Sequence, residues 1–168
     1  MRLAGFYTLA IIAGLLPVLF PNNYFITVVG IAAGLNVILA VGLNLLIGYA
    51  GQISLGHAAF FGIGAYTSAI LTTRYAFPPL LALGMGLIST GLISWLLARP
   101  ILRLHGHYLA MATLGFGIII HVIMVQATYW TGGPDGLAGI PPLTLLGWAV
   151  DSDQRWYSLI MVVMLLSI

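Results

Sequence analysis

Residues 24–49 read YFITVVGIAAGLNVILAVGLNLLIGY, a run with no charged side chain and with Asn36 and Asn44 as its only amides. A helix that crosses a bilayer needs about 20 consecutive, mostly apolar residues, and this run satisfies that length. The whole chain agrees. Of its 168 residues, 61% are hydrophobic and 5% are charged, whereas soluble domains run about 45–50% apolar and about 25% charged. Eight charged side chains cannot solvate a globule of this size, so a water-soluble monomer is excluded and the class is polytopic membrane protein.

Working outward from residues 24–49, similar runs lie on both sides. Leu3 to Phe20 precedes it and is closed by Pro21-Asn22-Asn23. One basic residue stands ahead of that run, no A-x-A cleavage pattern follows it, and its apolar core exceeds the usual 7–15 residues, so it reads as an uncleaved first span and not as a signal peptide. After the second run comes a glycine-spaced polar break, Gly48 to Ser54, and then a third run to Thr73. Arg74 and Pro78-Pro79 mark the next connection. A fourth span covers about Leu80 to Ala98 and stops at Arg99-Pro100. Ile101 to His107 forms a polar linker, and a fifth span runs from about Tyr108 to Trp130. Thr131 to Arg155 is the longest polar stretch and holds all three acids. A sixth run starts at Trp156 and reaches the last residue, Ile168, after 13 residues, about 20 Å of helix against a hydrocarbon core of about 30 Å. The expected fold is an all-α transmembrane bundle with about five complete spans, a Gly-rich broken segment near 48–56 and a truncated sixth span. Residues 1–168 are expected to form one transmembrane domain, with no soluble domain, as the N-terminal part of a longer protein.

The absences are informative. The chain has no Lys and no Glu; its charges are Arg2, Arg74, Arg99, Arg103, Arg155, Asp135, Asp151 and Asp153. Without Lys it cannot carry a GxxxxGK[ST] phosphate loop, so it does not hydrolyse ATP by that route. Without Cys it has no thiol catalysis, thiolate metal site or disulfide. No basic cluster exists to follow a nucleic-acid backbone. Arginine placement favours a cytoplasmic N-terminus, with Arg2, Arg99 and Arg103 inside against Arg74 and Arg155 outside, provided that Ser54 to Thr73 spans fully and does not re-enter.

Three sets of small residues recur at four-residue spacing: Gly30 and Gly34; Ser54, Ala58 and Gly62; and Ala82, Gly86, Thr90 and Ser94. Such residues let helix backbones approach closely in lipid, and ordinary helix packing accounts for all three. The stretch from Gly48 to Tyr66, GYAGQISLGHAAFFGIGAY, asks for more. Five glycines in 19 residues cost a helix up to about 1 kcal/mol each relative to Ala. Gln52, Ser54 and His57 add polar atoms at a depth where unpaired ones are costly. Two readings stand side by side: an interfacial turn, or a discontinuous helix of the kind that forms transport sites.

That stretch closely resembles the signature of the bacterial branched-chain amino acid ABC transporter permeases, of the LivM type. Two further segments match in order, Arg103 to Gly117, RLHGHYLAMATLGFG, and Thr131 to Pro141, TGGPDGLAGIP. The resemblance implies a permease subunit in the bacterial cytoplasmic (inner) membrane. Its implied partners are a second permease subunit, two ATP-binding subunits on the cytoplasmic side and an extracytoplasmic amino-acid-binding protein. It implies no catalytic residue and no cofactor on this chain, with ATP-Mg bound in the partner subunits. The family continues for several more spans, including a cytoplasmic loop that engages the ATPase, and that half is not in these 168 residues.

Asn44, Gln52, Ser54 and Tyr66 lie in or beside the break and are the candidates for lining a substrate path, against the plainer role of satisfying the backbone of the break. A leucine-like substrate has an apolar side chain and a zwitterionic head, which a neutral route with a few amides and hydroxyls suits. Asn36 is expected to bond between helices. His57 and His121 are lone imidazoles at membrane depth, read as structural or as proton relays. His105 and His107 lack a nearby carboxylate and are not expected to hold a metal. Arg99 and Arg103 are expected to meet lipid phosphates at the cytoplasmic face or to contact an ATPase. Asp135, Asp151 and Asp153 fall in the outer connection, solvated or facing a binding protein. Two other functions compete: an ATP-independent channel or secondary carrier, which would ordinarily place carboxylates inside the membrane, and an intramembrane serine hydrolase built on Ser54 and His57. The sequence around Ser54 is not the GxSxG elbow.

Overall fold

The computed structural model describes residues 24–101, 103–145 and 148–167. The first apolar run, Leu3 to Phe20, lies outside them. The described elements are α1 (Tyr24–Ala50), α2 (His57–Tyr75), α3 (Pro79–Ile101), α4 (His107–Gln126), a one-turn α5 (Thr128–Thr131), a 3-10 turn at Gly133–Asp135, strands β1 (Leu143–Leu145) and β2 (Trp148–Val150), and α6 (Asp153–Leu166). Among the described residues three helices are long and apolar enough to cross a membrane, at Val28–Ala50, Pro79–Ile101 and His107–Gln126. Helix α2 is less apolar, but it is one uninterrupted helix of 19 residues, about 28 Å long, with no internal break of the kind a re-entrant segment needs.

The structure moves several boundaries for local reasons. Arg99-Pro100 does not end the fourth span, because Pro100 falls in the last turn of α3, where the missing N–H forfeits a single helical bond. Arg74 belongs to the last turn of α2 and not to the connection, where a cation suits the helix dipole. That helix stops as Ala76 turns left-handed (φ 51) and Phe77 N–H reaches back to the Leu71 carbonyl at 3.1 Å. Pro79 then opens α3, at a position whose N–H needs no helical partner. The fifth span ends at Gln126, four residues earlier than expected, and Thr128–Thr131 is a separate turn. The sixth run starts at Asp153, three residues early, with an acid in its first turn. The connection between α4 and α6 also contains a two-stranded ladder, β1 with β2, so the described fold is helical apart from that small pair. Leu143 is buried and Thr144 exposed, the alternation a half-buried strand requires.

The chain divides into two units, the described part of Met1–Asn44 with Val150–Ile168, and Leu45–Ala149. In the first unit, Gly30 and Gly34 present their bare backbone to α6. A Cβ on Gly30 would overlap the Tyr157 ring, and one on Gly34 would sit 2.6 Å from Ile160 Cγ2. Tyr157, Met161 and Met164 are buried at one-turn spacing and pack with Ile31, Val37 and Ile38. The expected GxxxG contact is therefore made, and a tyrosine fills it. Asn36 differs from expectation: it is exposed, and its amide donates to Ala32 O of its own helix at 2.8 Å.

In the second unit, α2 and α3 meet backbone to backbone. A Cβ on Gly86 would stand 2.8 Å from the Gly64 carbonyl oxygen, Ala82 is wholly buried, and Ser89 hydrogen-bonds Thr67 across the seam at 3.2 Å. The Ser54, Ala58, Gly62 set is not one helical stripe, because Ser54 precedes α2; Gly62 does accommodate Met124 of α4. Phe60 and Phe116 pack with ring centroids 5.1 Å apart, joining α2 to α4. The other face of α3 is open, with Leu87, Ile88, Leu92 and Leu96 each about two-thirds exposed. Lipid solvates such a face, and water does not.

Candidate functional site

The break is built by specific contacts at both ends. Helix α1 ends at Ala50, and Gly51 takes φ +62 with no atom near its missing side chain. A left-handed glycine is the common way to stop a helix; here Gly51 N–H still donates to Ile47 O, and Gln52 N–H reaches back to Leu46 O, each at 3.2 Å. Residues 51–56 then run without helix to the start of α2. At the far end the chain is pinned. Leu55 N–H donates to Thr113 Oγ1 on α4 at 3.1 Å. A Cβ on Gly56 would overlap the Thr113 carbonyl, and one on Gly117 would lie 3.5 Å from Gly56 Cα. Only glycine permits this approach of a loop to a helix backbone.

A cavity of about 500 Å³ opens beside the break, within Leu45–Ala149. Its polar lining is Gln52, Ser54 and His57 from the break and first turn of α2, Thr90 and Ser94 from α3, and Thr113 from α4. Leu46, Ile53, Phe60, Leu97 and Leu109 supply much of the apolar wall. No charged group lines it. Its volume lies in the range of about 300–1,000 Å³ typical of small-molecule sites, which are likewise mostly apolar with a few polar groups. Gly56 offers no side-chain cap to α2, and Ala59 N–H turns back to Gly56 O at 3.0 Å.

The candidate path residues thus separate. Gln52 and Ser54 share the cavity with His57. Tyr66 lines a different cavity of about 230 Å³, with Ala65 and Ala69 of α2 and Leu137 and Ile140 of the connection between α4 and α6. Asn44 is an exposed residue of α1. His121 is exposed and lines a crevice of about 300 Å³ between α2 and α4. Arg99 is exposed over the Trp95 ring at 5.0 Å, and Arg103 is exposed. Asp135, Asp151 and Asp153 are all exposed, Asp151 pairing with Arg155 at 2.8 Å. Among the described residues no hydrogen bond joins Ser54 to His57, the link a nucleophile and its base would make.

Thr90, Ser94 and Thr113 were not foreseen as lining residues. Thr90 and Ser94 read as packing, which is half right: the Thr90 hydroxyl donates to Gly86 O at 2.8 Å, beside the seam with α2, and the residue also borders the cavity. Thr113 is the sole hydroxyl besides Tyr108 in RLHGHYLAMATLGFG, and that isolation was a usable signal.

The connection that follows α4 is as tightly made. Thr131 Oγ1 lies 2.6 Å from Met124 O and 2.9 Å from Ala127 O, and accepts Gly133 N–H at 3.1 Å. Gly132 has φ +78, and a Cβ there would overlap the Gly136 carbonyl. Arg74, from the end of α2, stacks over Tyr129 at 4.6 Å and Trp130 at 5.4 Å. The three segments that carry the family resemblance therefore converge on α2: the second pins the break, and the third lies over Tyr66 and, through the turn before it, over Arg74.

Two relatives, the high-affinity branched-chain amino acid transport system permease proteins LivM of Salmonella typhimurium (strain LT2) and Escherichia coli (strain K12), are each 41% identical over 96 residues. That stretch is 57% of this chain and 23% of each relative. No solved structure matches. Residues 25–168 match the family described as branched-chain amino acid transport system / permease component. With the match covering all but the first 24 residues, and with apolar helices of spanning length, the chain is a multi-pass membrane protein that belongs to the branched-chain amino acid transport permease family.

Proposed function

We propose that this chain is the membrane-spanning permease part of an ABC importer that carries branched-chain or related amino acids across the bacterial inner membrane. ATP-Mg is bound and hydrolysed in two separate subunits, a second permease chain completes the pathway, and an extracytoplasmic binding protein delivers the substrate. The N-terminus is cytoplasmic, which puts Arg99 and Arg103 on the ATPase side and Asp135, Asp151 and Asp153 on the side of the binding protein. The observation that carries the reading is the uncharged cavity at the break. Its apolar wall suits an aliphatic side chain, and its amide and hydroxyl groups suit a zwitterionic head that must bind without being trapped. Gln52 and Ser54 contact that head. Tyr66 borders the route toward the outer face, and Asn44 remains a candidate path residue at the end of the first unit. His57 and His121 serve as hydrogen-bonding structural groups.

The test is leucine uptake by the complete transporter in proteoliposomes, with binding protein and ATPases, with and without ATP. Uptake should require ATP, and Gln52→Ala or Ser54→Ala should raise the KM for transport. Uptake independent of ATP would point to a carrier and overturn the proposal. Proteolytic activity abolished by Ser54→Ala would point to the hydrolase. The family match favours neither of these.

A further inference from the structure

We infer that Thr113 is a positioning residue, a latch that holds the non-helical segment 51–56 in the pose that brings Gln52 and Ser54 to the cavity, with Gly51 as the hinge. The two ends of this segment are unlike. At Gly51 the backbone is left-handed and nothing lies within 4 Å of where a side chain would be; Gly48, one turn earlier, is equally open. At Leu55 and Gly56 the chain is fastened to α4 by the Leu55 N–H bond to Thr113 Oγ1 and by the close approach of Gly56 to the Thr113 carbonyl and Phe116. The Thr113 hydroxyl donates its own proton to Ala110 O at 3.0 Å, which fixes its rotamer and leaves a lone pair aimed at Leu55. Thr113 is buried and also borders the cavity, so motion of α4 at this point transmits directly to the segment that carries Gln52 and Ser54. Tied to α4 at Leu55 and Gly56, and with open space around Gly51, whose N–H and that of Gln52 stay bonded to the last turn of α1, the segment pivots about Gly51 when the tie is released.

The latch stands on contacts alone; its consequence for transport rests on the proposed function, and the experiment separates the two. In the assembled transporter, Ser54→Cys reports the pose through its rate of maleimide labelling. No native cysteine competes within these 168 residues, and the parent transporter supplies the background. Thr113→Val, nearly isosteric but without an acceptor, should change that rate by about twofold to tenfold, the scale expected for losing one part-buried hydrogen bond. Thr113→Ser should restore it, because the hydroxyl is kept. Thr113→Ala removes the same acceptor with less bulk and serves where the valine variant fails to assemble. In the transporter without the cysteine, Thr113→Val should raise the KM for leucine more than it lowers kcat, with Thr113→Ser near wild type. Labelling unchanged by Thr113→Val and Thr113→Ala, or shifted equally by Thr113→Ser, overturns the latch. A labelling change that follows the hydroxyl in a transporter showing no ATP-dependent uptake upholds the latch and removes the transport reading.

Discussion

Replacing Gly86 by alanine tests the seam on which the cavity's α3 wall depends. The added Cβ would stand 2.8 Å from the Gly64 carbonyl oxygen, 0.6 Å inside the 3.4 Å at which ordinary contact begins. The opposing atom is backbone, so no side-chain rotation relieves the overlap, and α2 and α3 must part by about that amount. Overpacking of this kind costs about 1–3 kcal/mol. The separation also takes the Ser89–Thr67 bond, now 3.2 Å, beyond hydrogen-bond range, at about 0.5–1.5 kcal/mol. Against this stands the helix preference of Ala over Gly, up to about 1 kcal/mol. The net expectation is a loss of about 0.5–4.5 kcal/mol. Gly84, two positions earlier on the same helix, has nothing within 4 Å, so Gly84→Ala keeps the propensity gain and incurs no clash. Reversible unfolding in mixed micelles should place Gly86→Ala below wild type and Gly84→Ala at or slightly above it. Equal stability of the two variants would refute the backbone-contact argument, whatever either does alone.

Other substitutions probe the remaining contacts. Gly30→Val should destabilise by about 1–3 kcal/mol in the same unfolding assay, since the Tyr157 ring occupies the space, while Gly48→Ala, in open surroundings, should not. Gly132→Ala should lower the yield of folded protein in membranes, because the left-handed backbone alone costs about 1–2 kcal/mol and the Gly136 carbonyl adds a steric conflict; wild-type yield would remove that turn from the structural account. Arg74→Gln should loosen Tyr129 and Trp130 at a cost of about 0.5–1 kcal/mol, read as a change in indole emission that is absent in a Trp130→Phe background. Asp151→Asn should leave stability within about 1 kcal/mol of wild type, because its partner Arg155 and Asp151 itself are half exposed or more.

The membrane class was legible from composition, and the helices α1, α3 and α4 from uncharged runs of spanning length. Their ends were less so. Whether Pro100 stops a helix or sits in its last turn depends on a single hydrogen bond, and whether Arg74 is loop or helix depends on where Ala76 turns left-handed; neither leaves a mark in hydropathy. The break at 48–56 was visible in its glycines, and two of the four candidate path residues, Gln52 and Ser54, do share one cavity. The separation of Tyr66 and Asn44 from them was not visible, because neighbours in sequence on either side of a break point along different helices.

By itself, then, the sequence determined the solvent this chain requires, the absence of a Lys-based ATP site within these 168 residues, the place of the break and the family, since each follows from which residues are present and in what order. Only the tertiary structure decided what the glycines are for. Gly56 and Gly86 are contact surfaces, Gly51 is a hinge with open space around it, and Gly30 is the seat of a tyrosine. The same residue type serves all these uses, and the difference lies in what stands opposite the missing side chain. Thr113 makes the same point. It is one hydroxyl in an apolar helix, and it became the partner of the break because folding carried Leu55, 58 positions away in the chain, to within 3.1 Å.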